Sequence, residues 1–189
     1  MTATLTRTTS RVDPLLAAAG VLFVLYPALR PWGDAVPEGM ATAFASPLWL
    51  AAHLAAMVGF VLVAFAIQRP LWWVGTALVL PYYGAEAFAL HALADRSDLP
   101  AMADAIRYGT VAMVTFGAGL VALAVAAVLV AVRQGWRAVP FAAAMVLFLP
   151  QFFLGPELRI AHGVLLGIGC VLVGSAGAQA GTTARSRNR

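Results

Sequence analysis

Apolar positions run along this chain in long blocks, separated by prolines, arginines and short polar stretches. A bilayer crossing takes about 17 to 25 mostly apolar residues. On that measure the blocks predict helices over 14 to 30, 47 to 68, 71 to 93, 109 to 132, 138 to 154 and 157 to 179. Pro14, Pro47, Pro70, Pro140 and Pro156 stand at or near the starts of these blocks, where a missing N–H costs least. The predicted fold class is an all-α integral membrane protein, a six-transmembrane-helix bundle over 14–179. A cytoplasmic N-terminal tail (1–13) precedes it and a basic cytoplasmic C-terminal tail (180–189) follows.

The first block has a basic flank, Arg7 and Arg11, but "ALRPWGD" follows it directly where a signal peptide would carry a small-residue cleavage site. It reads as a retained helix. Six crossings put both termini on one side. That side takes Arg7, Arg11, Arg69, Arg133, Arg137, Arg185, Arg187 and Arg189, and the other takes Arg30, Arg96, Arg107 and Arg159. The excess makes the termini cytoplasmic and the destination the cell membrane. Asp34, Glu38, Asp95, Asp98, Asp104 and Glu157 fall on the arginine-poor side. Trp32 and Trp49 fall at the predicted outer boundary and Trp72, Trp73 and Trp136 at the inner one, as in an aromatic belt.

Charged residues are only 11% of the chain, against about 25% in soluble domains, so the bilayer has to serve as the main solvent and partner. The high pI of about 10 does not indicate nucleic acid, because the arginines sit singly at block ends and form no basic groove with stacking aromatics. One cysteine, Cys170, excludes an intrachain disulfide and a Cys-based zinc pattern.

Two loops have internal pattern. In "DRSDLPAMADAIRYG", Asp98 is placed to cap a short interfacial helix with Leu99, Met102, Ala103 and Ile106 on one face. "PWGDAVPEGMATAFAS" begins with turn formers and becomes helix-compatible toward its end. Gly163 and Gly167 form a small-xxx-small pair that favours close helix packing, with Gly117, Gly119, Gly169, Gly174 and Gly177 as further small positions.

The candidate chemistry lies in polar residues inside the blocks. At about 1.5 Å rise per residue, His53 and His162 both lie about 9 Å below the outer boundary, Glu86 about 12 Å and His91 about 4 to 5 Å. Glu86 shares a helix face with Tyr82 and Tyr83, which read as packing residues that satisfy it, whereas His91 is about 140° away around the helix and reads as interfacial. Arg159 precedes His162 by one turn. The ligand or proton site is therefore read as Glu86, His53, His162, Arg159, Tyr82 and Tyr83, with His91 and Gln151 of lower priority. Pro81 and Pro150 are expected to kink their helices and open a polar vestibule.

An acid at this depth must be neutral, wet or paired, and Arg159, His53 and His162 are its nominated partners. Two imidazoles at one depth would serve as axial haem ligands or, with a carboxylate, as transition-metal ligands, so His53 and His162 are the metal candidates. Other readings are a small proton-coupled transporter using Glu86, and a non-catalytic accessory or assembly subunit. The protein would then work as a homo-oligomer or among other membrane subunits. No assembled nucleophile and base is present, which argues against an enzyme.

Overall fold

The computed structural model describes residues 12–187, with side chains through residue 175. Arg7, Arg11 and Arg189 lie outside the described residues, as do the surroundings of Gly177 and the side chains of Arg185 and Arg187. Among the described residues all regular structure is helical. Helix α1 (Pro14–Leu29) starts where the Asp13 carboxylate accepts the Leu15 and Leu16 N–H groups at 2.8 and 3.3 Å, an N-cap. A 3-10 turn (Trp32–Ala35) and α2 (Pro37–Ala45) follow, so the helix-compatible end of the first loop is indeed a helix. The Ser46 hydroxyl caps α3 (Pro47–Ile67), which ends with Gln68 in the left-handed region at φ 50°.

Helix α4 (Pro70–Gly84) passes through a π turn (Ala85–Ala89) into α5 (Leu90–Ala92). Pro81 offers no N–H to the Ala77 carbonyl, and within two turns the Leu90 N–H bonds the Ala85 carbonyl, five residues back. Helix α6 (Leu99–Tyr108) is the predicted loop helix. Its buried face holds Leu99 and Ala103, while Met102 is exposed. Asp98 stands at its N-cap without a side-chain cap bond; its carboxylate is taken instead by Arg96 at 3.0 and 3.1 Å. Helix α7 is Thr110–Gln134.

The stretch predicted as one helix over 138 to 154 is broken. A 3-10 turn (Trp136–Ala138) leads into α8 (Val139–Val146), and a second 3-10 turn (Pro150–Phe153) follows. The α ladder gives way at Phe148, whose N–H bonds the Met145 carbonyl at 3.3 Å while the Ala144 carbonyl takes the His162 ring, and Pro150 then has no N–H for the Val146 carbonyl. Helix α9 is Pro156–Arg187.

Among the described residues three helices are long and apolar enough to cross a membrane: Pro47–Ile67, Thr110–Gln134 and the Pro156–Ser175 part of α9. Packing closes a ring, α1 on α3, α3 on α4, α4 on α7, α7 on α8, α8 on α9 and α9 on α1. Glycine allows the closest approaches: a Cβ on Gly20 would meet the Gly167 carbonyl oxygen at 2.9 Å, and one on Gly119 would meet Val79 at 2.7 Å. The Gly163–Gly167 pair thus seats α9 on α1 in antiparallel fashion, with the Asp13 N–H bonded to the Gly174 carbonyl at the far end. The end of the ring where α1 begins is called the base, and the opposite end the crown.

The ring interior is filled by aromatic and aliphatic side chains, among them Phe23, Phe60, Tyr83, Phe116, Leu123 and Phe148. A second cluster, with Phe44, Trp49, Leu90 and Leu99, fastens α2 and α6 over the crown. Trp49 and Trp72 belong to this interior. Both are fully buried, Trp49 against Phe44 and Trp72 stacked on Phe141, so neither extends an aromatic belt. Trp73 and Trp136 are exposed.

Candidate functional site

The crown holds a chain of charges that four different elements supply. Arg30, at the end of α1, bonds Asp34 one turn later at 2.6 Å, and both are buried. The same Asp34 oxygen accepts Nη2 of Arg107 from α6 at 2.8 Å. Arg107 also donates Nε to Oε1 of Glu86 at 2.8 Å and Nη2 to Oε2 at 3.1 Å. This two-point grip is the strong form of a guanidinium–carboxylate pair. Glu86 lies in the π turn, and its backbone carbonyl accepts the Trp49 indole N–H at 2.7 Å. π turns recur at functional sites because they free backbone groups and re-aim side chains.

His53 stands beside this chain of charges. Its Nδ1 is 2.7 Å from the Trp49 carbonyl, so Nδ1 carries the proton and donates, and Nε2 faces Glu86 Oε2 at 3.8 Å. Aromatic faces cover the cations. Arg30 lies 5.0 Å from the Trp32 ring centroid and 4.9 Å from that of Trp49; Arg107 lies 5.1 Å from Phe44. Arg159 lies between Trp32 at 4.8 Å and Phe152 at 5.0 Å, within the range for cation–π attraction.

These groups bound a cavity of about 520 Å³ whose walls include Tyr26, Arg30, His53, Tyr82, Glu86 and Arg159. Pockets that take small molecules span about 300–1,000 Å³. Three buried or largely buried guanidiniums (Arg30, Arg107, Arg159) meet two carboxylates (Asp34, Glu86) on these walls, with Asp104 exposed at the rim. Arg159 donates Nε to the neutral Gln151 amide at 3.1 Å, and its buried Nη2 has no hydrogen-bond partner among the described residues. The Asp34 carboxyl is pulled both ways. Burial raises its pKa, Arg30 and Arg107 lower it, and the cations win, holding it below the usual carboxylate range. For Arg107, burial opposes the charge, but Glu86 and Asp34 outweigh it and drive the pKa up.

Of the residues nominated from sequence, Glu86, His53, Tyr82, Tyr83 and Arg159 line this one cavity. His162 does not. Its Nε2 donates to the Ala144 carbonyl at 2.8 Å, and it borders a separate crevice of about 10 Å³ beside Phe148, Gln151 and Arg159. The two imidazoles nominated as haem or metal ligands therefore open on different spaces. Among the described residues no group of three His, Cys, Asp or Glu side chains is arranged to hold a metal ion. His91 Nδ1 bonds the Phe44 carbonyl at 2.6 Å and ties α5 to α2, away from Glu86. The tyrosines pack, Tyr82 stacking on Phe116 at 4.1 Å, while the cation on Glu86 is Arg107 and not Arg159.

Arg30, Asp34, Arg107, Trp32 and Trp49 were not nominated, because in the sequence they read as charge and aromatic markers of the membrane boundary. Two signals were present. Asp34 follows Arg30 by four, and Arg107 follows Ala103 by four and so shares the buried face of α6. Comparison with protein families, with curated proteins and with solved structures finds no match for this chain.

Proposed function

We propose that this is a six-crossing plasma-membrane protein, both termini cytoplasmic, that holds a small organic anion in the crown cavity on the outer side of the membrane. The crossings are α1, α3, the α4–π–α5 rod, α7, α8 with its 3-10 extension, and α9. The arginine distribution supports the orientation, and the closed ring of these elements supports the count.

Arg159 carries the ligand reading. It is a buried cation, bonded to an amide, with a spare donor atom and no carboxylate within ion-pairing distance among the described residues. A buried cation calls for an anion. Trp32, Phe152 and the tyrosines beside it suit an aromatic or other planar carboxylate, which a guanidinium recognises bidentately.

Thermal unfolding of the purified protein in detergent tests this, with benzoate as probe and benzamidine as its cationic counterpart. Benzoate raises the midpoint, benzamidine does not, and Arg159→Gln removes the benzoate effect. Equal stabilisation by the two probes, or none by benzoate, overturns the proposal.

A second reading, a carrier that couples the solute to protons, is favoured by the approach of His53 Nε2 to Glu86 in the same cavity. Glu86→Gln in proteoliposomes then abolishes pH-driven benzoate uptake while leaving benzoate binding in place. Uptake that survives the substitution removes the coupled carrier.

A further inference from the structure

We propose that the base of the bundle carries a second site, a groove that binds an anionic phospholipid, with its phosphate on Arg69 and Arg133 and an acyl chain in the groove below. The groove is larger than the crown cavity, about 940 Å³, and lies at the opposite end of the ring, between the starts of α1 and α4, the ends of α3 and α7, and Val173 and Gly174 of α9. Its floor is apolar, formed by residues such as Leu16, Ile67, Leu71, Val130 and Val173. A floor of that composition suits a hydrocarbon chain and offers almost nothing to a polar solute.

The rim is cationic. Arg69 opens α4 and Arg133 closes α7. Both are exposed, and among the described residues neither has a carboxylate within 4.0 Å. The acid at the rim, Asp13, is already engaged, because its Oδ1 accepts the Leu15 and Leu16 N–H groups as the cap of α1. In this the base differs from the crown, where Arg30 and Arg107 are neutralised within the protein. A guanidinium pair left open to an anion, over an apolar slot, matches the two parts of a phospholipid.

Packing sets the relative height of the two cations. Gly75 of α4 rests on Leu123 and on the Gly119 carbonyl of α7. Counting outward from that contact at about 1.5 Å per residue, Arg133 lies roughly 9 Å beyond Arg69 along the bundle axis. The two long side chains thus reach one headgroup from below and from above. Basic pockets between membrane helices on the cytoplasmic side recognise anionic headgroups in this way. The inference needs the bundle orientation proposed above only for the choice of leaflet, and it is independent of the crown ligand.

Native mass spectrometry of the full chain in detergent, with phosphatidylglycerol and phosphatidylcholine added at equal concentration, tests the site. Phosphatidylglycerol is retained at least tenfold over phosphatidylcholine, and Arg69→Gln combined with Arg133→Gln brings the ratio close to one. The unfolding temperature of the double variant stays that of the wild type, since both side chains are exposed and have no ion pair among the described residues. Equal retention of the two lipids, or an unchanged preference in the double variant, overturns the proposal. So does glycerol 3-phosphate binding as tightly as the whole lipid, because the groove would then hold no chain.

Discussion

Arg107 grips both carboxylate oxygens of Glu86, at 2.8 and 3.1 Å, from 21 residues further along the chain, and with the same Nη2 it also holds Asp34. One guanidinium thus joins the loop after α1, the π turn and α6. Arg107→Ala leaves Asp34 paired with Arg30 alone and Glu86 with no guanidinium within 4.0 Å among the described residues. Breaking a buried pair by removing one partner costs about 3–5 kcal/mol. Denaturant or thermal unfolding in detergent measures the loss. Arg107→Lys recovers only part of it, because an ammonium cannot reproduce the fork on Glu86.

The charge network also sets a response to acid. The folded-state pKa of Asp34 is lowered, with Arg30 and Arg107 overcoming the effect of burial. Its contribution to stability is therefore complete above the unfolded value of about 3.9 and is lost as pH falls through the lower folded value. Unfolding midpoints taken from pH 7 to pH 3 fall at the acid end in the wild type. Asp34→Asn is less stable at pH 7 and loses less on acidification.

Trp49 serves the site through its ring nitrogen. Trp49→Phe keeps an aromatic surface against Phe44 and His53 but removes the donor to the Glu86 carbonyl. An unsatisfied buried carbonyl costs about 1–3 kcal/mol. Amide exchange across Ala85–Ala89 rises in this variant relative to α3, which separates a local effect on the π turn from general unfolding.

At the α1–α9 seam the limiting quantity is volume. A Cβ on Gly167 would lie 2.9 Å from Val24 and 3.0 Å from the Gly20 carbonyl oxygen. Gly167→Val forces the two helices apart and destabilises by about 1–3 kcal/mol. The same substitution at Gly117, which has open space within 4 Å, leaves the unfolding midpoint near the wild-type value. The pair of variants distinguishes packing from helix propensity.

The helical elements were legible because hydrocarbon demands long apolar runs and prolines mark where they begin. Starts predicted from Pro14 and Pro47 are the starts observed. What hydropathy could not register is interruption inside a run. Leu147–Leu149 is as apolar as the helix before it, yet the ladder gives way there, with the Phe148 N–H bonding Met145 three residues back and Pro150 offering no N–H to Val146. In the site, depth counting brought His53 and Glu86 to one level, and they are 3.8 Å apart. It also brought His162 to that level, but depth carries no information on rotation, and the ring of His162 turns toward Ala144. The cations Arg30 and Arg107 escaped notice for a different reason. They were counted as topology markers, although Arg30 is held against Trp32 and Trp49 and Arg107, itself on α6, against Phe44 and the two carboxylates.

The π turn at Ala85–Ala89 holds one residue more than an α turn would. The rod from Pro70 to Ala92 therefore runs in two phases, and residues after the turn are offset by about 100° from an uninterrupted α-helix. His91 meets Phe44, and Leu90 enters the crown cluster, in the second phase. Loss of one codon between 85 and 89 would rotate that whole segment and dismantle both contacts at once, an injury that no single substitution in the turn inflicts.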